Sequence, residues 1–142
     1  MLSEILAAVA SVQFRKLEPI NTLRRERAAR LTAALGQYDK IQLPLTKSYA
    51  HTNWHIYQIR VPEGKAGWFS EAMNAEGIQA NVHWPPLHLT TLYRQNYDYN
   101  PGDFPVAERV FESLVRLPLY PGLGDEELDD IVRAVDKIHP YL

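Results

Sequence analysis

Two histidines and a tryptophan gather in one short run, Val82-His83-Trp84-Pro85-Pro86-Leu87-His88. A histidine ring offers a donor and an acceptor, and an indole offers an N–H donor but no hydroxyl, so these side chains are suited to polar recognition. The two prolines supply no backbone N–H and hold φ near about −65°, and Trp84 ahead of them is pushed toward extended backbone. The chain must therefore leave any sheet at this point. What results is a stiff corner displaying His83, Trp84 and His88 at the carboxyl end of a predicted strand. A histidine at a strand end is more often simply a partly buried polar group with a backbone partner. Both roles stay open on the residues alone.

Other chemistries find less support. The five histidines raise metal ligation by His51, His55, His83 and His88. A four-residue spacing, however, puts His51 and His55 on one face only in a helix, and the surroundings of Trp54 read as strand, where such positions lie far apart. No acid or cysteine completes a ligand set, so no metal site is expected. No serine lies in a Gly-x-Ser-x-Gly context, and the seven glycines are not clustered into a phosphate-cradling loop. Without cysteine, disulfides and thiolate metal sites are excluded and a reducing compartment is permitted.

The 142 residues suffice for one domain, and 46% hydrophobic with 23% charged residues is globular composition. A net charge of −2 gives no general attraction to nucleic acid or to an anionic membrane. The cluster Arg24, Arg25, Arg27 and Arg30 lacks interleaved aromatics and reads as a solvated face with salt bridges crossing the domain. The apolar N-terminal stretch carries Glu4 in its first turn with no basic segment ahead of it, unlike a signal peptide. No window approaches the roughly 18 apolar residues of a membrane helix, and a cytoplasmic location is expected.

The elements that must position the corner follow from periodicity. Leu2, Ile5, Leu6, Val9 and Val12 predict a helix over 2–17, and Pro19 should end it and open a second helix over 19–35, which stops near Gly36. A short strand is expected over 41–45 and the clearest strand over 54–61, WHIYQIRV, stopped by Pro62. A helix over 65–76 then crosses to a strand over 78–84, with Gly77 free to adopt the left-handed conformation between them. Residues 93–102 read as turn-rich. Asp103 and Pro105 start a helix reaching about Val115; Leu117 to Tyr120, with Pro118, suggests a sheet edge; and Asp125 caps a last helix with Leu128, Ile131, Val132, Val135 and Ile138 as its apolar stripe.

The run GIQANVHWPPLHL, followed by LYRQNYDYNPGDFPVAERVFESLVRLPLYPGLGDEELDDIVRAVDKI, resembles the C-terminal end of the DegT/StrS-type sugar aminotransferases. These are pyridoxal-phosphate enzymes that aminate keto sugars attached to nucleotides. The likeness joins the His-aromatic-x-Pro-Leu-His corner, the Gly-Asp-Phe-Pro-x-Ala-Glu helix start, the Leu-Pro-Leu-Tyr-Pro-Gly-Leu segment and the acidic last helix in one order. It implies an α+β fold, the small C-terminal domain of a fold type I aminotransferase, with a small mostly antiparallel sheet covered by helices. On this reading 1–142 is a single domain, in which two leading helices over 1–36 precede the small domain over 37–142. The resemblance puts His83 and Trp84 at a His-Tyr pair that meets the sugar nucleotide, and His88 at the family's second histidine. Trp84 departs from the pattern by lacking a phenol oxygen.

The resembled enzymes hold pyridoxal phosphate through a Schiff-base lysine, an acid at the pyridine nitrogen and a phosphate cradle. Lys16, Lys40, Lys47, Lys65 and Lys137 lie in contexts unlike the family's lysine segment, which belongs to a large domain preceding this part. No catalytic residue, no cofactor-binding residue and no cofactor are therefore expected in this chain alone. The expected function is that of a detached C-terminal domain of a nucleotide-sugar aminotransferase, inactive by itself. The alternative is a stand-alone nucleotide-sugar-binding or regulatory module that pairs with a complete aminotransferase. In the resembled enzymes the first helix runs into the large domain near the subunit seam, so its apolar face predicts a homodimer through residues 2–17 or a separate large-domain partner.

Overall fold

The computed structural model describes residues 3–142. Helix α1 (Glu4–Arg15) opens on Ser3, whose hydroxyl accepts from the Leu6 amide at 3.3 Å, and its first turn carries the acid Glu4. Leu2, placed first on the expected apolar face, lies outside the described residues. The break before helix α2 (Leu17–Leu35) falls at Lys16 and not at Pro19. Pro19 sits in the first turn of α2, where its missing N–H has no intrahelical partner to lose, so it continues a helix already begun.

The sheet is short. Strand β1 (Tyr57–Arg60) pairs antiparallel with strand β2 (Leu114–Leu117), and single bridges add Gln42 beside Arg60 and Asn81 beside Arg116. The expected strand over 54–61 begins three residues late because the backbone of 52–55 is satisfied elsewhere. Thr52 and Asn53 side chains accept from the Trp54 and His55 amides, and the Trp54 and His55 carbonyls accept from Arg24. Trp54 itself has a positive φ of 51°. The strand expected over 41–45 shrinks to Gln42, with Pro44 unable to donate to a ladder.

Helix α3 (Ala66–Ala75) ends as its sequence suggests, Gly77 taking φ of 83° while the Ile78 amide reaches back to the Met73 carbonyl at 2.9 Å. The strand expected over 78–84 reduces to the Asn81 bridge. Ser70 and Asn74 both donate to the Ala80 carbonyl at 2.8 Å, which ties this segment to α3. It lies beside β2, so β2 separates it from β1 and the strand-helix-strand unit does not close on itself.

A 3-10 turn (Leu87–Leu89) follows the prolines, and helix α4 (Thr91–Tyr97) takes up the first part of the 93–102 segment read as turn-rich, stopping where Asp98 turns left-handed at φ 56°. Helix α5 (Pro105–Ser113) ends two residues short of Val115 because Leu114 and Val115 join the ladder with β1. The edge expected at Leu117 to Tyr120 is instead the end of an inner strand, β2, with Pro118 just past it. Helix α6 (Asp125–Ile138) buries Leu128, Ile131, Val135 and Ile138 of its expected stripe together with Ala134, while Val132 is only partly buried, and Gly124 takes the cap position with Asp125 first in the helix.

Alternation sends Tyr57, Ile59, Val115 and Leu117 to one face of the sheet, where they join Leu31, Leu35, Phe69, Met73 and the α6 stripe in one core. Fully burying a side chain of this size stabilises by about 1.5–3 kcal/mol. The other face carries half-buried Gln58, Arg60 and Arg116. The arginines of α2 bind across the domain: Arg24 to the Trp54, His55 and Leu119 carbonyls, Arg27 and Arg30 to Asp125, and Arg30 to Asp129 at 2.8 Å. By contrast α1 buries none of its residues; Ile5 is 78% and Phe14 75% exposed. Among the described residues, no helix is long and apolar enough to cross a membrane.

Candidate functional site

The corner is built by the chain leaving the Asn81 bridge and entering Pro85-Pro86. His83 is half-buried and stacks on Trp84, with ring centroids 4.7 Å apart and planes 21° from parallel. Trp84 is 74% exposed, so its far face is open to a ligand. Beneath it, the Nδ1 of His83 is buried and has no hydrogen-bond partner among the described residues. A buried polar nitrogen without a partner forfeits a hydrogen bond it made to water, and such atoms are rare in folded proteins.

His88 behaves differently from the displayed group the sequence suggests. Only 7% of its surface is exposed, its Nε2 donates to Glu108 Oε1 at 2.8 Å and its ring packs on Phe104 at 4.7 Å. The structure thus pairs His83 with Trp84 and turns His88 inward, where it anchors the 3-10 turn to the start of α5. Glu108 also accepts from the Gly102 amide at 2.9 and 3.0 Å and from the Phe104 amide at 3.3 Å. The hydrogen bond from His88, aided by those two amides, holds the Glu108 carboxyl below its ordinary range against the opposing effect of desolvation.

Sequence reasoning missed Glu108 as a partner. Its signal was the acid in the first turn after Phe104-Pro105, a position from which a side chain reaches back to free amides. That it also faces a histidine twenty residues earlier is a tertiary fact. Asp103, taken as a helix cap, serves the loop instead, accepting from the Asn100 amide at 2.8 Å. An edge-on contact between Tyr99 and Phe104, at 5.5 Å, completes the wall behind His88.

Two lysines that sequence alone left unassigned are engaged. Lys137 binds Glu76 at 2.5 Å, and the Lys65 ammonium lies over the Trp68 ring at 5.1 Å. Among the described residues, no three His, Asp or Glu side chains converge in a metal-binding group.

This geometry can be set beside known proteins. The DegT/DnrJ/EryC1/StrS aminotransferase family matches residues 1–136. The spore coat polysaccharide biosynthesis protein SpsC of Bacillus subtilis is 30% identical over 140 residues, covering 95% of this chain and 36% of that protein. Among solved structures, S. venezuelae DesV in complex with a ketimine intermediate superposes with a TM-score of 0.87 at 26% identity, covering 96% of this chain and 36% of that one. The pyridoxal-phosphate form of the putative sugar aminotransferase Spr1654 from Streptococcus pneumoniae gives 0.88 at 25% identity, covering 98% of this chain and 36% of that one. The chain spans about a third of the length of the curated relatives it matches, 36% in SpsC.

Proposed function

Because the chain belongs to the DegT/DnrJ/EryC1/StrS aminotransferase family, we propose that it is the small domain of a sugar aminotransferase, presenting the His83–Trp84 corner to a nucleotide sugar and performing no amination alone. The observation that carries this reading is the buried, unpartnered Nδ1 of His83 beneath an exposed indole. Once the Trp84 ring stacked on His83 shifts aside, a sugar hydroxyl or phosphate oxygen would satisfy the nitrogen, and the indole would stack on a ring of the ligand. His88 and Glu108 contribute by fixing the corner's base, so His88 acts on the ligand through position.

Calorimetric titration with UDP-glucose tests the corner. His83→Ala is expected to weaken binding about fivefold, the equivalent of ~1 kcal/mol for one net hydrogen bond. Affinity unchanged by the substitution would remove the corner from the reading.

Pyridoxal phosphate supplies an electron sink for amination when bound through a lysine. The residues here do not fit that group: Lys137 and Lys65 are held by Glu76 and Trp68, and no lysine lies in a segment like the family's. Mixing the chain with pyridoxal phosphate and borohydride is therefore expected to leave no single modified lysine in the mass spectrum. Stoichiometric labelling of one lysine would refute this.

Helix α1 requires a cover, and the occupant we assign is a second copy of this chain. Its apolar residues Ile5, Leu6, Val9 and Val12 are all more than half exposed or close to it. The charge pattern favours self-association, because Glu4 lies in the first turn and Arg15 in the last. Two copies packed antiparallel about a two-fold axis set acid against base at both ends, and Ala8 and Ser11 permit close approach. A separately encoded large domain is the competing cover.

A further inference from the structure

On the sheet face away from the core, Arg116 stands at the centre of a polar row. It pairs with Gln58 on one side and bridges Asn81 on the other, so strand alternation directs all three side chains to the same open face. Its backbone is spent in the bridge, its carbonyl accepting from the Asn81 amide at 3.1 Å and its amide donating to the Asn81 carbonyl at 2.8 Å. Arg116 is half-buried, and its guanidinium makes no hydrogen bond or ion pair among the described residues. Arg24, Arg25, Arg27, Arg30, Arg60 and Arg133 are each bound, and Arg15, Arg94 and Arg109, which like Arg116 make no such bond among the described residues, are exposed where Arg116 is half-buried.

Beside Arg116 lies a concavity of about 270 Å³, also lined by His55, Gln79 and Tyr120. No carboxylate lines it, although the chain as a whole is acidic. The adjoining hollow, which shares Gln79, Pro118 and Tyr120, carries Glu127 and Asp130. The wall is positive at a second level. His55 and Leu119 both line the concavity, and both their carbonyls accept from the Arg24 guanidinium behind them, at 3.3 and 3.2 Å. Both carbonyls are thus engaged by a cation, which places a second positive charge within reach of the concavity's wall.

We propose that this concavity is an anion site in which Arg116 receives a carboxylate or phosphate group, with His55, Gln79 and Tyr120 supplying further polar contacts. An arginine fork matches either group with two parallel hydrogen bonds, and its partial burial strengthens them relative to a fully solvated pair. The site is separate from the His83 corner and stands whether or not that corner takes a sugar.

The test is a titration of the nitrogen-15-labelled 142-residue chain at constant ionic strength, once with inorganic phosphate and once with glutamate. Saturable amide shifts at His55, Gln79, Arg116 and Tyr120 are expected with at least one of the two. Stronger saturation by phosphate identifies a phosphoryl ligand, and by glutamate a carboxylate ligand. Arg116→Ala is expected to weaken the saturating interaction about tenfold or more, and Arg116→Lys, which keeps the charge and loses the fork, by less. Shifts that do not saturate, that spread over the α2 arginines, or that persist unchanged in both variants would overturn the assignment. Unchanged core amides in the Lys variant provide the folding control.

Discussion

Replacing Ile5 and Val9 together by aspartate is expected to abolish dimerisation of this chain, leaving folded monomer in sedimentation velocity where the unmodified chain runs as a dimer. Burying each large apolar side chain of α1 is worth about 1.5–3 kcal/mol, and the proposed antiparallel contact repeats each contribution in the second copy. Two carboxylates per copy would have to be desolvated in the same seam without partners, which reverses the balance. The substitutions should leave the domain itself folded, because α1 buries no residue and neither position belongs to the core. A monodisperse monomer of the unmodified chain at high micromolar concentration would exclude the self-association and leave a different chain as the cover of α1.

Acid is expected to release the base of the corner. The ionised Glu108 side chain accepts from His88 and from the Gly102 and Phe104 amides, so its pKa in the folded chain lies below the ordinary glutamate value of 4.5. A carboxyl with a depressed folded pKa contributes stability that is fully present above its unfolded pKa and is lost as pH falls through the folded one. Chemical denaturation of the wild type and of Glu108→Gln should therefore show a clear gap at neutral pH that narrows below pH 4.5. Amide exchange in residues 99–104 should quicken in the variant at neutral pH, because the loop loses its charged acceptor. A gap of constant size from neutral to acid pH would mean that the Glu108 charge contributes nothing to the tie.

Elements with a strong local signature were legible in the sequence. The stripe from Leu128 to Ile138 specified α6, Gly77 specified the end of α3, and the ordered motifs around His83 and Phe104-Pro105 specified the family. What was not legible depended on competition for backbone groups. The strand at Trp54 started late because Arg24, thirty residues away, takes its carbonyls. The strand at Ile78 shrank because Ser70 and Asn74 take Ala80's carbonyl. Helix α5 gave up Leu114 and Val115 to a partner strand. In the candidate site, the sequence grouped Trp84 with both histidines, and nothing local distinguished the His83–Trp84 pair from the buried His88. That distinction came from Glu108 and Phe104, which a linear reading does not place beside it.

The two single-residue bridges flanking the sheet govern how this domain can fail. A sheet that ends in a long, regular strand presents a row of free amides and carbonyls on which another chain can template, the first step toward a fibril. Here each margin is one bridged residue wide: beyond Gln42 the chain soon reaches Pro44, and beside Asn81 the Ala80 carbonyl is already claimed by α3. An incoming strand would find too few free groups in register to hold it. Misassembly by sheet growth is therefore closed to this domain even while its N-terminal helix remains adhesive, so overexpressed material that comes out of solution should do so as amorphous, helix-retaining precipitate and not as thioflavin-binding fibres.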